Sequence, residues 1–508
     1  MKKHLLTLFL LLVVQLVCLA QSDLYWKLGI NSALDFNSGI PLLNLNDTCH
    51  LDLDDASTGI CDKNGGLIFY SNGFEVYNKI DRRMLNGFNF NHGTLSDPYF
   101  TSGSYPLIKS TIAIPFPNNT NKFYLFYENM EFFDAGSNKL PNKLRYLVVD
   151  ISLDSGLGDV TYKDSNLIVN DTLEAGNILG IKHGNGSSYW SIIRHYHSNK
   201  FYRVLIDSFG VHRLNDQYIG DAYIDSFSFF GIANTSLNGD KIAYVYQSYH
   251  ASQNLADGQI DIFDFNRCTG FLSNYRKITL PNTIDTTYAI SLCFSPNGRF
   301  LYLHDQYKLW QIDLYSTNLL GSKILIANRL QGENYLFWQM KNGPDNKIYV
   351  ANNGSSKSLH VINYPDSFGL ACHFVQKQIQ LPSGFIYTTG GLPNEPNFSL
   401  GKIDCGVGVQ EVANTKEGLV IYPNPCGERF LVTGEKLLVN TIEIMDVLGR
   451  TKIVRQAHHN GDVLAVDSPL QRGLGGFELN ISNLPNGIYF LKATDEKGKI
   501  YNSKFVKE

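Results

Sequence analysis

The sequence predicts an all-β protein: a β-propeller of about seven blades followed by a small C-terminal β-sandwich. Three observations carry that expectation. Aromatic residues make up 13% of the 508 residues, with 29 Tyr, 31 Phe and 44 Gly, a usage that favours strands joined by tight turns. A turn of Asn, Asp and Gly followed by two apolar-aromatic runs recurs through most of the chain. Near residue 418 the character changes, and a second, shorter set of alternating strands begins.

The elements follow in chain order. Lys2 and Lys3 precede an apolar run from Leu5 to Val17, shorter than the roughly 20 residues that span a bilayer. Cys18-Leu19-Ala20 places small residues before Gln21, so residues 1–20 read as a signal peptide cleaved after Ala20, and the mature protein as exported. The formal net charge is −4 with no dense basic run, which argues against a nucleic-acid partner. Of the eight cysteines, Cys18 leaves with the signal. The remaining set is Cys49, Cys61, Cys268, Cys293, Cys372, Cys405 and Cys426; being odd in number, it leaves at least one thiol without an intramolecular partner. Cys49 and Cys61 pair best by proximity alone. C-x-x-C spacing is absent, which argues against zinc or redox motifs.

The recurring turns carry Asn64, Asn121, Asn185, Asn238, Asn297 and Asp345, spaced 48 to 64 residues apart, just above the period of kelch and WD40 repeats. "SPNGRFLYLHDQYKLWQIDL" from Ser295 is a clear copy. Asn297-Gly298 supplies the positive φ of a tight hairpin, and Phe300–Leu303 is expected to pair with Leu309–Ile312. Such a small sheet cannot bury both faces alone, so several must stack in a ring. Segments near Trp26–Phe36 and Gly384–Leu400 are expected to make or close a further blade. "SPNGRFLYL" and "GPDNKIYVA" resemble the tips of WD40-like and Tol-type propellers. "LIFYSNGFEVYNK", "VVDISLDSGLGDV", "IKHGNGSSYW", "IDIFDFNRCTG" and "LHVINYPDSFGLAC" resemble, in that order, a family of secreted Bacteroidota-type proteins over about Leu24 to Ile403. That resemblance implies a propeller and no particular activity.

After a polar stretch, "LVIYPNPCGERFLV", "TIEIMDVLGRTKIV" and "ELNISNLPNGIYFLKATDEKGKIYNSKFVKE" read as half-buried strands broken by Pro and Gly turns. The set closely resembles the type A C-terminal sorting domain of the type IX secretion system. The resemblance implies that Tyr422, Pro423, Asn424, Pro425, Gly449, Arg450, Pro485, Gly487, Tyr489 and Lys507 belong to the sorting signal. It implies the type IX machinery and its C-terminal signal-processing peptidase as partners. The implied location is secreted or attached to the outer-membrane surface, reached through the periplasm, with no other membrane association. About thirty residues between Arg450 and Leu479 exceed the family's usual connection and read as an enlarged loop. The expected division is signal peptide 1–20, propeller 21–404, linker 405–417 and sorting domain 418–508.

No G-x-S-x-G, H-E-x-x-H or P-loop motif occurs, and no catalytic residue, cofactor or metal site is expected. The acidic run His50–Asp55 lacks EF-hand spacing and reads as a solvated loop. In "RHYH", a strand would put His195 and His197 on one face, with His183 near by; backbone-satisfied histidines are expected rather than a metal set. Trp190, His195 and His197 are the candidate ligand contacts. The function expected is binding or scaffolding of an unknown extracellular glycan, peptide or protein, and the alternative is a glycan- or polymer-degrading hydrolase.

Overall fold

In the computed structural model the described residues are 23–49, 51–100, 103–132, 139–222, 232–250, 255–280, 291–330, 335–353, 356–381, 391–405, 420–433, 439–446, 450–456, 476–495 and 500–508. The expected signal peptide at 1–20, His50, residues 406–417 of the expected linker, Gly449 and 457–475 of the stretch expected to be an enlarged loop lie outside them. The chain divides into two compact units, residues 1–405 and 406–508. No helix among the described residues is long and apolar enough to cross a membrane.

Among the described residues the larger unit contains seven small antiparallel sheets, built in sequence from consecutive strands. Their first strands are Tyr25–Gly29, Thr58–Cys61, Thr111–Pro115, Ile181–Lys182, Ala233–Thr235, Ser291–Phe294 and Phe337–Asn342. Where first strands of neighbouring sheets meet, they lie side by side: first with second, second with third, fifth with sixth, sixth with seventh. Apolar clusters fill the space between sheets. Ile60, Phe69 and Phe123 join the second and third; Phe201 and Phe263 join the fourth and fifth. The seventh sheet packs back on the first, where Trp26 meets Phe36 at 4.8 Å and Tyr349 at 5.3 Å between ring centroids. Buried ion pairs cross the same seams, as with Arg194 and Asp261 at 2.8 Å.

The six Asn/Asp/Gly turns each connect the first and second strands of a sheet, from the second sheet to the seventh. In five of them the fourth residue's amide donates to the first residue's carbonyl: Gly65 to Asp62, Gly186 to His183, Gly239 to Ser236, Gly298 to Ser295 and Asn346 to Gly343. Each of these fourth residues has positive φ, 72° at Gly298, where a Cβ would be strained. The Ser295 copy has the expected register: Leu301 faces Ile312 and Leu303 faces Trp310. The run after each turn is the second strand of its sheet, so the strand before the turn is the one flanking its counterparts in neighbouring sheets. Trp26–Phe36 lies in the first sheet (Tyr25–Gly29, Ser32–Asp35 and Leu42–Asn44). The 391–400 half of the other flanking segment adds no strand.

Among its described residues the smaller unit has two antiparallel sheets. One holds Val420–Tyr422, Arg429–Thr433 and Gly476–Asn480; the other holds Thr451–Gln456, Val439–Asp446, Gly487–Asp495 and Ile500–Lys507. Phe430 and Val432 from the first sheet share one core with Ile442, Leu491 and Phe505 from the second.

Candidate functional site

Residues 391–405 form a strap that lies against the first strands, or the residues beside them, in six of the seven sheets. Leu392 packs with Trp26 and Leu34 of the first sheet, and its amide donates to Gln339 Oε1 of the seventh at 2.9 Å. Asn394 N donates to Ser57 O, and Thr58 Oγ1 donates back to Asn394 O at 2.6 Å. Its side-chain Nδ2 reaches the carbonyls of Lys109, Thr111 and Ile178 at 3.0–3.3 Å, tying the third sheet to the entrance of the fourth. Lys341 Nζ donates to Pro393 O at 2.8 Å and to Glu395 Oε2 at 2.5 Å. Asn397 Nδ2 donates to Leu237 O at 2.6 Å. Arg267 holds Gly401 O at 2.7 Å.

The strap ends in a Cys268–Cys405 disulfide. Gly184 lies so close that a Cβ there would sit 2.3 Å from Cys405 Sγ. Cys49 and Cys61, the pair favoured by proximity, are both free and buried. Cys49 Sγ donates to Leu51 O and Cys61 Sγ to Tyr25 O. The short sequence distance misleads because Cys61 is committed to a first strand while Cys49 lies in the connection before it.

At the start of the strap lies the acidic run, and it is not a solvated loop. Asp54 and Asp55 are half-buried. Asp55 Oδ1 accepts from Trp338 Nε1 at 2.9 Å, and Asp55 O from Gln339 Nε2 at 3.2 Å and from Lys109 N at 3.0 Å. Burial pushes both carboxyls above the usual range, reinforced by the neighbouring aspartates, while the Trp338 bond opposes the rise at Asp55. Burial also lowers Lys109 to about 8, with Lys341 adding to the effect and Cys293 opposing it. Glu395 is raised to about 7 by burial, against the pull of Lys341.

Trp190, His195 and His197 are not brought together. Trp190 is 2% exposed and donates its indole N–H to Arg267 O at 2.7 Å. It stacks beside His183, with ring centroids 5.4 Å apart. Its strand, Tyr189–Arg194, ends before the two histidines, so strand alternation does not govern them. His195 Nε2 lies 2.8 Å from Asp171 Oδ1. His197 has φ 53° and stacks on Tyr196 at 3.7 Å. His183 sits at the other end of that strand, its Nε2 3.0 Å from Cys268 O, and burial lowers its pKa. Among the described residues no group of three or more His, Cys, Asp or Glu is arranged to hold a metal.

In the smaller unit the motif residues are neighbours. Asn424 Nδ2 donates to Lys504 O, and Asn424 Oδ1 accepts from Val506 N, at 3.0 and 2.9 Å. Tyr422 is exposed, and Pro423 and Pro425 flank Asn424 in the same turn. Arg450 Nε reaches Asp446 Oδ2 at 2.8 Å. Tyr489 Oη donates to Pro485 O at 2.8 Å, and Gly487 opens its strand. Lys507 is 7% exposed; its ammonium donates to the carbonyls of Ile481 at 2.9 Å, Ser482 at 3.1 Å, and Leu484. A cleft of about 530 Å³ is lined by Asp446, Arg450, Lys452, Pro485, Gly487 and Tyr489, among others, so two separate sequence motifs share one surface.

Sequence reasoning missed Asn394, Lys341, Glu395 and the Cys268–Cys405 bond. The odd cysteine count was the one available hint.

No curated protein sequence matches the chain significantly. Among solved structures, a protein from Lactobacillus plantarum is 10% identical, covering 77% of this chain and 92% of its own, with a TM-score of 0.35. A GH43 beta-1,3-galactosidase with galactodeoxynojirimycin is 10% identical over 58% of this chain and 95% of its own, TM-score 0.30. A functionally unknown protein from Desulfotomaculum acetoxidans is 9% identical over 62% and 92%, TM-score 0.28. Likeness at that level transfers no activity. Residues 420–508 match the family described as secretion system C-terminal sorting domain, and the chain is thus a cargo of the type IX secretion system, exported to the cell surface or the extracellular space.

Proposed function

We propose that the larger unit is a seven-bladed β-propeller acting as a surface-delivered binding module, with the smaller unit a β-sandwich address. The reading divides the chain into a signal removed after Ala20, a propeller to residue 404, a linker at 405–417 and a sorting domain from 418. Ring closure is supported by the packing of the seventh sheet on the first. The observation that carries the binding reading is the strap. Residues 391–400 run against the first strands with Pro393, Asn394 and Asn397 committed to the sheets, so in this reading the middle of the ring is a structural joint rather than an open funnel. A glycan, peptide or protein ligand is then met outside that joint, with the half-buried Asp54 and Asp55 as the candidate acidic contacts.

The second reading, a glycan- or polymer-degrading hydrolase, is favoured by the raised carboxyls of Asp54 and Asp55, since a general acid needs such a shift. One experiment separates the two. The mature chain and its Asp54→Asn and Asp55→Asn variants are screened on glycan and peptide arrays and, in parallel, for release of reducing ends from polysaccharides. Retention without turnover, weakened in the variants, supports binding. Turnover lost in either variant replaces the binding reading with the hydrolase. The type IX peptidase is expected to remove the sorting domain at the surface, and mass spectrometry of surface-released protein checks for an end near the 405–417 linker.

A further inference from the structure

Glu128 stands in the strand Lys122–Phe132 of the third sheet, and its side chain has no access to water: the residue is 0% exposed. Its amide donates to Ser110 O at 2.9 Å, but neither carboxylate oxygen has a hydrogen-bond partner. A charged carboxylate in such a place is strongly disfavoured unless something compensates it, and an unsatisfied group of this kind calls for an explanation.

The surroundings share one property. Glu174, on the connection into the fourth sheet, is 3% exposed and is the charge that acts most on Glu128. The Gly176 amide faces the Glu128 carboxylate. The next residue, Asn177, is 1% exposed; its Nδ2 is committed to Ala175 O at 3.0 Å, while its Oδ1 has no partner. Ser110, on the strand neighbouring Glu128, is fully buried and its Oγ has no partner either. The unsatisfied atoms named here are oxygens: the Glu128 carboxylate, the hydroxyl of Ser110, whose carbonyl accepts from the Glu128 amide, and the Asn177 amide next to Gly176. Sulfur and imidazole are not among them.

We propose that Glu128 and Glu174, with the Asn177 amide oxygen and the Ser110 hydroxyl, hold a hard divalent cation, Ca²⁺ by chemistry. Ca²⁺ takes oxygen ligands in irregular geometry, whereas softer transition metals select imidazole and thiolate. Two carboxylates match the charge of one such ion, and the neutral oxygens complete the shell. The ligands come from the third sheet and from the connection into the fourth, so the ion joins two sheets across a seam. Binding to the folded state alone stabilises that state in proportion to the logarithm of ion concentration.

The competing occupant is a proton on Glu128, towards which burial and Glu174 push the group. The test uses the full mature chain, stripped with EDTA and dialysed. Its thermal unfolding is followed with and without Ca²⁺ at about 1 mM, and bound metal is counted by elemental analysis. The expected result is one Ca²⁺ per chain and a higher melting temperature. Glu128→Gln, which mimics the protonated acid, is expected to melt like stripped wild type and to ignore Ca²⁺. Should that variant fail to fold, Asn177→Ser is the second probe, expected to weaken the Ca²⁺ response about tenfold. Asp55→Asn is expected to leave the response intact. A wild-type chain with neither bound metal nor a Ca²⁺-dependent melting shift overturns the proposal in favour of the proton. A Glu128→Gln chain that still responds, or an Asp55→Asn chain that does not, overturns it in favour of a site elsewhere.

Discussion

Each unit fixes its final segment against its own sheets, and the two do so by opposite means. In the larger unit the strap is held by partners scattered along the chain: Ser57, Thr111, Ile178, Leu237, Cys268 and Lys341. In the smaller unit the strand Ile500–Lys507 is held by strand pairing and by two short turns. Asn424 clamps its backbone, and the 481–484 carbonyls cage the Lys507 ammonium. Distributed anchoring spreads the hydrogen-bonded closure over many side chains, with the disulfide as its covalent tie. Local anchoring concentrates the cost of failure in one residue.

The comparison breaks most visibly at the disulfide. Cys268 and Cys405 are separated by 137 residues, and the chain-entropy account of such a loop gives about 5 kcal/mol. Cys405→Ser is expected to lower the denaturant midpoint of the larger unit's transition by a corresponding amount. Reductant should then shift wild type and leave the variant unmoved. Equal midpoints for oxidised and reduced wild type would mean that the hydrogen bonds alone fix the strap.

In the smaller unit the decisive residue is Lys507. Lys507→Met takes a charged donor away from three carbonyls, two of them at buried contacts, and the expected loss is about 3 kcal/mol. Thermal unfolding of the full chain should show the smaller unit's transition moving while the larger unit's stays in place. Cell fractionation should show less protein at the surface. An unchanged melting profile with normal surface levels would refute the caging role.

The smallest effect separates the units by pH. Burial lowers His304 to about 4 and His360 to about 3. His360 Nε2 faces Asn352 Oδ1 at 2.5 Å, and Nδ1 accepts from Lys377 N at 2.9 Å. Both imidazoles stay neutral in the folded larger unit, whereas the unfolded chain takes up protons below about 6.5. The stability they confer is present above that pH and is lost as pH falls towards 4. Between pH 6.5 and 5.5 each should cost about 1 kcal/mol. Equilibrium denaturation across that range should show His360→Gln with a shallower slope, and parallel slopes would remove these imidazoles from the account.

The parts of the fold legible in sequence are those decided locally. Asn297-Gly298 and its counterparts announce turns because positive φ is a property of the residues themselves, and the register of Phe300–His304 follows from the turn. The smaller unit is legible for the same reason, since Tyr489 meets Pro485 and Arg450 meets Asp446 within four residues. The strap is not legible. "PNEPNF" has no period, and Asn394 works through partners more than two hundred residues away. "RHYH" misleads because the strand stops at Arg194, and "HLDLDD" misleads because its cover, Trp338, comes from the seventh sheet. Glu128 and Glu174 likewise become neighbours only after folding.

The strap also sets an order of events. Thr58 and Asn394 are 336 positions apart, and contacts of such separation form late. A chain delivered from its N-terminus can assemble sheets one after another, but the last joint waits for residues 391–405 to reach the same side of the membrane as residue 58. Maturation of the larger unit is therefore coupled to delivery of nearly its whole length. The sorting domain, residues 420–508, lies C-terminal to that segment and so is delivered after it. The chain carries its own clock, written as sequence distance.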